Sequence, residues 1–213
     1  GTQKIEQVVK ARFPQARVLR MDMDTTRTKD GYEQILSAFS NHEADILIGT
    51  QMIVKGHDFP GVTLVGVLAA DLSLYISDYR ASERTFQLLT QAAGRAGRGD
   101  IPGNVIIQTY DPDHYSITTA KEQNYEAFYG QEIEYRKMMR YPPVWNMLYI
   151  LCASKNEAEA SEAAVALMGK IDQIVRENSE KIFPIGPSDA PVAKISDVYR
   201  KVIYVKTREY QTL

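Results

Sequence analysis

Residues 45–71, DILIGTQMIVKGHDFPGVTLVGVLAAD, contain two apolar runs separated by a short polar stretch with glycine. The runs DILIG and VTLVGVLAAD have the length and β-branched content of buried strands, and TQMIVKG between them predicts a short helix. Strands that are apolar on both faces are typical of a parallel sheet covered by helices. This stretch therefore predicts an α/β fold.

The flanking segments continue the alternation. Helical periodicity is present in QKIEQVVKARF, KDGYEQILSAFSN and ASERTFQLLTQAAGRAG, whereas ARVLRM and GNVIIQT are short apolar runs that predict strands. Strands alternating with helices predict a parallel sheet with helices on both faces. We assign this first domain to residues 1–118.

Residues 119–213 predict a different architecture. A helical connector rich in Tyr, Glu and Gln ends at Tyr141-Pro142-Pro143, because proline cannot continue a helix. The strand NMLYILCAS, a long helix with an acidic start, IFPIG, PVAKIS and the strand YRKVIYVKT follow. This order indicates a small α+β domain of ferredoxin-like type. Such a fold usually needs one more helix after Leu213, so we expect a truncated chain or a disordered tail.

Composition restricts the classes of function. The chain has 213 residues, 44% of them apolar, and a formal net charge of −2, so any binding to DNA has to come from a local basic patch. Cys152 is the only cysteine, which excludes an internal disulfide or a cysteine-rich zinc site in this chain and suits a reducing compartment. No apolar run reaches the roughly 18–20 residues of a membrane span. We therefore expect a cytoplasmic protein with no membrane partner.

The stretch QAAGRAGRG, residues 91–99, contains the strongest candidate site. On a helix, Gln91, Arg95 and Arg98 would share one face. Gly94 and Gly97 would remove side-chain bulk from that face, so another surface could approach it closely. A planar, anionic group would fit there. The alternative is a solvated basic helix end that complements the helix dipole.

A second candidate lies between the two strands of 45–71. Thr50 follows a buried strand and opens the predicted short helix, which is a favourable position for a phosphate. Gly56 would let a ligand approach the backbone, and the Asp58 carboxylate could accept a hydrogen bond from a sugar hydroxyl. Each residue alone also fits an ordinary helix N-cap, helix stop or turn.

The two candidates together resemble a known pair of motifs. Thr-x5-Gly-x-Asp-x-Pro followed by Gln-x2-Gly-Arg-x-Gly-Arg resembles motifs V and VI of the superfamily-two helicases, which lie on the second RecA-like lobe. RMDMDTT, DYRASERTFQLLTQAAGRAGR and YPPVWN extend the likeness. Over essentially its whole length, the chain resembles the bacterial primosomal replication-restart helicases. The resemblance implies a RecA-like second helicase lobe followed by the family's C-terminal domain.

The resemblance also implies roles for the candidate residues. Arg95 and Arg98 would be arginine fingers that protrude toward the nucleotide phosphates, and Gln91 would help to place them. Thr50 would contact a DNA-backbone phosphate. The ATP side of the same segment would be formed by Gly56 and Asp58. His57 is assigned no role.

By the same resemblance, the parent enzyme is an ATP-dependent 3′-to-5′ DNA helicase that recognises and remodels stalled or abandoned replication forks and promotes primosome assembly. ATP and Mg²⁺ would be bound mainly by a first lobe, because the GxxxxGK[ST] loop and the acidic magnesium box do not occur here. The family's zinc site would also lie outside these residues. We therefore expect this chain alone to be inactive as an ATPase.

The implied partners are branched fork DNA, single-stranded DNA, the single-strand-binding protein and other primosome proteins, and indirectly the replicative helicase and its loader. The implied location is the nucleoid at replication forks. Two alternatives remain open. The chain could belong to another superfamily-two DNA translocase, or it could be a non-enzymatic module that binds DNA or a partner.

The end of the chain has a local basic bias. In YRKVIYVKT, Arg200, Tyr204 and Lys206 share one strand face, which suits a phosphate backbone with base stacking. A solvated sheet face explains the pattern equally well. The acidic pair Asp22 and Asp24 is interpreted as a helix-entry loop, and no metal ligands are predicted.

Overall fold

A computed structural model describes residues 1–26, 31–54, 59–97, 102–177 and 182–209. The chain divides into two compact units, one formed by Gly1–Tyr75 and Ser82–Asn124 and the other by Ile76–Ala81 and Tyr125–Leu213. The second unit therefore includes a short segment that interrupts the first unit in sequence, which the sequence does not indicate. The domain division at residue 118 stays a prediction.

The first unit alternates helices and strands as expected. Its helices are α1 (Thr2–Arg12), α2 (Gly31–Ser40), α3 (Ala81–Ala93) and α4 (Tyr115–Lys121). Its strands are β1 (Val18–Met21), β2 (Ile46–Gly49), β3 (Leu64–Val67) and β4 (Asn104–Ile107). Two 3₁₀ turns, Gln51–Val54 and Ala70–Ser73, follow β2 and β3.

All strand pairs of the first unit are parallel, as the apolar runs predict. β1 pairs with β2, and β3 pairs with β4. Among the described residues these are two separate two-stranded sheets rather than one continuous sheet. Met21, Leu36 and Phe59 form a buried cluster, in which the rings of Phe39 and Phe59 meet edge to face at 5.1 Å.

The second unit has the predicted β-α-β-β order. α5 (Tyr125–Met139) precedes β5 (Asn146–Ser154), α6 (Glu157–Glu177), β6 (Ile182–Ile195) and β7 (Val198–Thr207). The sheet is antiparallel in the order β5-β7-β6, which is the order of the first three strands of a ferredoxin-like sheet.

α6 covers one face of this sheet. Ile182, Ile203 and Val205 are buried there, and Leu167 and Ile171 of the helix pack against them. IFPIG and PVAKIS, predicted as separate segments, form the single strand β6, whose pairing with β7 is interrupted by register shifts. No helix in the described ranges combines the length and apolarity needed to cross a bilayer.

Candidate functional site

Thr50 lies where the sequence predicts it, between β2 and a short helical turn. A Cβ on the preceding Gly49 would lie 2.6 Å from a side-chain carbon of Ile53 and 2.7 Å from the Met21 carbonyl, so glycine is needed for this turn. The Ile53 N–H donates to the Thr50 carbonyl at 3.2 Å. Thr50 is exposed, and the turn is a four-residue 3₁₀ turn rather than a full helix. Its contact with a phosphate stays a prediction.

Three other predicted site residues cannot be placed. Gly56, Asp58 and Arg98 lie outside the described residues. Their assignments to ATP stay predictions.

The expectation that Gln91 and Arg95 share a helix face is wrong, because α3 ends at Ala93; Arg98 lies outside the described residues. Gln91 is exposed in the last turn of this helix, whereas Arg95 belongs to the turn that follows it. The Arg95 N–H donates to the Ala92 carbonyl at 3.1 Å, which tightens the chain beyond α3. The position of Arg95 is therefore set by a turn.

The glycines of this turn also have a different role from the expected one. Gly97 has φ +73°, and its N–H donates to the Val62 carbonyl at 3.0 Å. A Cβ on Gly97 would lie 2.4 Å from the Gly103 nitrogen, so the chain itself fills the space that we expected another surface to use. At Gly94 the nearest atom to an added Cβ is 3.5 Å away, so glycine is not required there.

Arg95 does not protrude freely in this arrangement. The residue is half-buried, and its Nε atom is shielded from solvent. Because Arg98 lies outside the described residues, the geometry of the arginine pair stays untested.

Sequence reasoning missed the buried carboxylate of Asp71, which is 3% exposed at the carboxyl ends of β3 and β4. Asp71 accepts hydrogen bonds from the Thr109 hydroxyl and from the N–H groups of Tyr110 at 3.0 Å and Asp111 at 3.2 Å. The hydrogen bond from Thr109 and the two N–H donors lower the pKa of Asp71. The signal was an aspartate directly after the apolar run VLAA.

Asp22 organises the loop after β1, as the interpretation of a helix-entry loop requires. It accepts from the Thr2 hydroxyl at 2.5 Å and from the N–H groups of Asp24 and Thr25 at 3.1 and 3.0 Å. Across the described ranges, no group of three or more His, Cys, Asp or Glu side chains is arranged to hold a metal.

In the second unit, the expectation that Lys206 lies on an open basic face is wrong. Lys206 is 5% exposed, and its Nζ donates to the Met139 carbonyl at 2.8 Å, at the C-terminal end of α5. The ammonium also lies 3.9 Å from the centre of the Tyr141 ring. Burial lowers the pKa of Lys206, and nearby Arg140 lowers it further. The Lys206 ammonium therefore caps the C-terminal end of α5, where it complements the helix dipole.

Other cations of the basic segment also have partners inside the second unit. Arg200 is half-buried and donates to the Val192 carbonyl at 3.4 Å. Lys201 pairs with Asp189 at 2.6 Å and with Glu157 at 3.3 Å. A DNA contact of Arg200 stays a prediction, but Lys206 on the same strand face is buried against the end of α5.

A cluster that the sequence did not indicate lies at one end of the three-stranded sheet. Trp145 is buried just before β5, and its ring meets that of Phe183 edge to face at 5.4 Å. The guanidinium carbons of Arg140 and Arg208 lie 5.3 and 5.2 Å from the centre of the Trp145 ring. Arg140 also lies 3.6 Å from the centre of the Phe183 ring. We call these four residues the arginine–tryptophan cluster.

With this geometry established, comparison with known proteins defines the class. Residues 2–100 match the helicase conserved C-terminal domain family. The first unit thus has the RecA-like fold of a helicase C-terminal domain. Residues 137–213 match the primosomal protein N C-terminal domain family. The chain belongs to the family of the replication restart protein PriA.

Relatives in several bacteria carry that name. The replication restart protein PriA of Bacillus subtilis (strain 168) is 49% identical over 212 residues, which cover 98% of this chain and 26% of the relative. The proteins of Synechocystis sp. and Chlamydia pneumoniae are 43% and 42% identical, and each match covers 97% of this chain and 24% or 27% of the relative. The chain spans about a quarter of the length of these relatives.

Proposed function

We propose that the chain forms the second motor lobe and the C-terminal domain of an ATP-dependent DNA helicase that translocates 3′ to 5′. This helicase would recognise and remodel stalled or abandoned replication forks and promote primosome assembly. The observation that carries the proposal is the succession of a helicase C-terminal domain and a primosomal protein N C-terminal domain on one chain. The second match favours replication restart over the other activities of superfamily-two translocases.

In this proposal a nucleotide phosphate binds at the end of α3. Gln91 is exposed in the last turn, and the guanidinium of Arg95 follows it closely in the turn held by Gly97. ATP would supply the phosphoryl group, with Mg²⁺ held mainly by residues of the first lobe. Arg95 and Arg98 would stabilise the charge that develops during transfer, an effect worth roughly 10³–10⁵ in rate for an arginine finger.

To move along DNA, a helicase has to couple a change at the nucleotide to its grip on the strand, which requires residues that link the two sites. Thr50 is exposed at the carboxyl end of β2, where ligands of open α/β sheets commonly bind. In this proposal Thr50 holds a backbone phosphate of the tracking strand, and Gly56 and Asp58, a few residues later, contact ATP. A change at the nucleotide would then reach the strand through one short segment.

The proposed partners follow from the restart role. They are branched and single-stranded DNA, the single-strand-binding protein and the other primosome proteins, with the replicative helicase and its loader acting afterwards. A cytoplasmic location at replication forks stays a prediction.

The test uses the full-length protein with Arg98→Ala. DNA-stimulated ATP hydrolysis should fall by about 10³ or more, while fork binding should change by less than about twofold, because the finger acts on the transferred phosphate. Arg98→Lys should remain impaired, since an ammonium lacks the planar fork of the guanidinium. Arg12→Ala, at an exposed position of α1, is the matched control and should behave as the wild type. Undiminished hydrolysis by Arg98→Ala would contradict the proposal.

A further inference from the structure

We propose that the arginine–tryptophan cluster binds consecutive phosphates of a DNA strand through the side chains of Arg140 and Arg208. The inference rests on the proposed function for the identity of the ligand, and on the geometry of the second unit for the site. It replaces the strand face of Arg200 and Lys206 as the phosphate-contacting surface of this unit.

The guanidinium groups of Arg140 and Arg208 are both accessible to an external ligand. Arg140 and Arg208 are exposed, and in the described part of the chain neither forms an ion pair with a carboxylate. Lys206, the third cation nearby, already donates to the Met139 carbonyl. Two like charges are thus held beside one indole ring, and no carboxylate of residues 1–26, 31–54, 59–97, 102–177 or 182–209 pairs with either of them. An anion that binds both guanidinium groups would relieve the repulsion between their like charges.

The backbone fixes the position of Arg140. The N–H of Tyr141 donates to the Arg136 carbonyl at 2.8 Å, and the N–H of Arg140 donates to the Lys137 carbonyl at 3.3 Å, which together form a Schellman end of α5. Arg140 occupies the left-handed residue of that motif, with φ +56°, where glycine is the usual choice. The motif therefore fixes the point at which the Arg140 side chain leaves the backbone.

Arg208 is fixed from the other side. It follows β7 directly, and its carbonyl accepts from the Asn146 side-chain amide at 3.0 Å. Asn146 itself is paired with Thr207 across the sheet and follows Trp145 in the chain. Both arginines therefore directly follow regular elements through hydrogen-bonded backbone, which limits the entropy lost when they bind.

Phosphate is the chemistry that fits this arrangement. Guanidinium groups bind phosphate oxygens through paired N–H donors, and aromatic rings that stack on the guanidinium planes leave those donors directed outward. Trp145 is buried and Arg140 lies over the Phe183 ring, so base stacking on these rings is not part of the proposed site. Binding of DNA at this site would therefore be independent of the base sequence.

Trp145 makes the site directly observable, because it is the only tryptophan in the chain. Its fluorescence is measured while a thymidine oligonucleotide of about 16 nucleotides is added to the 213-residue protein at several salt concentrations. The oligonucleotide should change the emission. In the variant Arg140→Gln with Arg208→Gln, the affinity should fall up to about tenfold at low salt. The slope of log K against log salt should become smaller by about 1.4, since each lost phosphate contact on a single strand contributes about 0.7.

Two further variants distinguish the effect of losing positive charge from the effect of disturbing the fold. Arg140→Lys with Arg208→Lys keeps both charges and should keep most of the salt slope, because lysine binds phosphate as a point charge. Arg176→Gln removes an exposed arginine of α6 in the same unit and should leave the emission change and the slope unaltered. Thermal unfolding of each variant verifies that the second unit remains folded.

Inorganic phosphate and a polyglutamate peptide, each at the same anion concentration, are the competing ligands. A response to DNA that the double glutamine variant loses supports the site. Wild-type binding by that variant, or DNA binding without a change in Trp145 emission, overturns it. An equal response to inorganic phosphate indicates a site for free phosphate, and a response to the peptide alone indicates a protein partner; either result refutes a DNA site. The full-length Arg98→Ala experiment is independent of these outcomes, so the motor proposal and this one can fail separately.

Discussion

Replacing Tyr79 with alanine should release residues 76–81 from the second unit. This segment stands between the first unit's β3 and the body of α3 in sequence, yet it is part of the second compact unit. The Tyr79 ring stacks on that of Tyr141 with centroids 5.3 Å apart and planes inclined by 20°. The guanidinium of Arg136 lies 5.3 Å from the centre of the Tyr79 ring.

The size of the effect follows from these contacts. Stacked aromatic pairs contribute about 0.5–1.5 kcal/mol beyond buried area, and a partly desolvated cation–π contact contributes about 1 kcal/mol. Transfer of the half-buried ring adds about 1 kcal/mol. Arg136 is 7% exposed and pairs with Glu132 at 2.7 Å, so loss of the ring would also admit water to a buried ion pair. We expect Tyr79→Ala to lower the free energy that holds the segment by about 3 kcal/mol.

Trypsin measures this release directly, because Arg80 provides a cleavage point inside the segment. A loss of about 3 kcal/mol raises the open population, and with it the rate of cleavage after Arg80, about a hundredfold when opening is fast. Tyr79→Phe keeps the ring and should be cleaved at nearly the wild-type rate. Tyr75→Ala is the matched control, since Tyr75 is 74% exposed and lies outside the segment.

The reasoning would be refuted if Tyr79→Ala and Tyr75→Ala were cleaved after Arg80 at the same rate. It would also fail if Tyr79→Phe were as labile as Tyr79→Ala, because the ring contacts would then not be what holds the segment.

Two further predictions concern the stability of the first unit. Asp71→Asn should lower the urea midpoint at pH 7, because it removes the charge that accepts hydrogen bonds from Thr109, Tyr110 and Asp111. The lowered pKa of Asp71 means that its stabilisation is present above the unfolded value of about 4 and is lost as the pH falls through the folded value, so the difference between Asp71→Asn and wild type should shrink in acid; a difference that does not vary with pH would contradict this. Gly97→Ala should cost about 1–3 kcal/mol in the free energy of unfolding, because φ is +73° and the added Cβ would lie 2.4 Å from the Gly103 nitrogen. Gly94→Ala, where the nearest atom is 3.5 Å from the added Cβ, should stay within about 0.5 kcal/mol in the same urea titration; equal losses for the two glycines would show that the turn is not constrained as described.

Much of the fold was predictable because the periodicity of apolar residues determines which segments form helices and which form strands. NMLYILCAS is β5 residue for residue, and the alternation in YRKVIYVKT correctly separates the two faces of β7. The parallel pairing of β1 with β2 and of β3 with β4 followed from apolar runs between helices. These features depend on local sequence, which is why they could be read without the structure.

The end of α3 was not predictable in the same way. The residues after Ala93 include Gly94 and Gly97, which favour a helix end, but Arg95 and Ala96 are good helix formers, so the local pattern does not fix the last helical residue. The turn after the helix is held where Gly97 donates to the carbonyl of Val62, which is distant in sequence, and packs against the nearby Gly103. A tertiary contact therefore determines where Arg95 lies, and such a contact cannot be predicted from the spacing of residues in a motif.

The prediction that the basic segment in β7 presents an open phosphate-binding face failed for a related reason. Alternation shows which residues share a strand face but does not show what covers that face, and here the end of α5 covers Lys206. Counting charges has the same weakness, since Lys194 is satisfied by Asp197 and Lys201 by Asp189. A cation is available to a ligand only when its own fold gives it no anion, and by that criterion Arg140 and Arg208 are the stronger candidates in the second unit. Because the net charge of −2 provides no general attraction for DNA, the affinity of this unit should depend on those two residues more than on the whole basic strand.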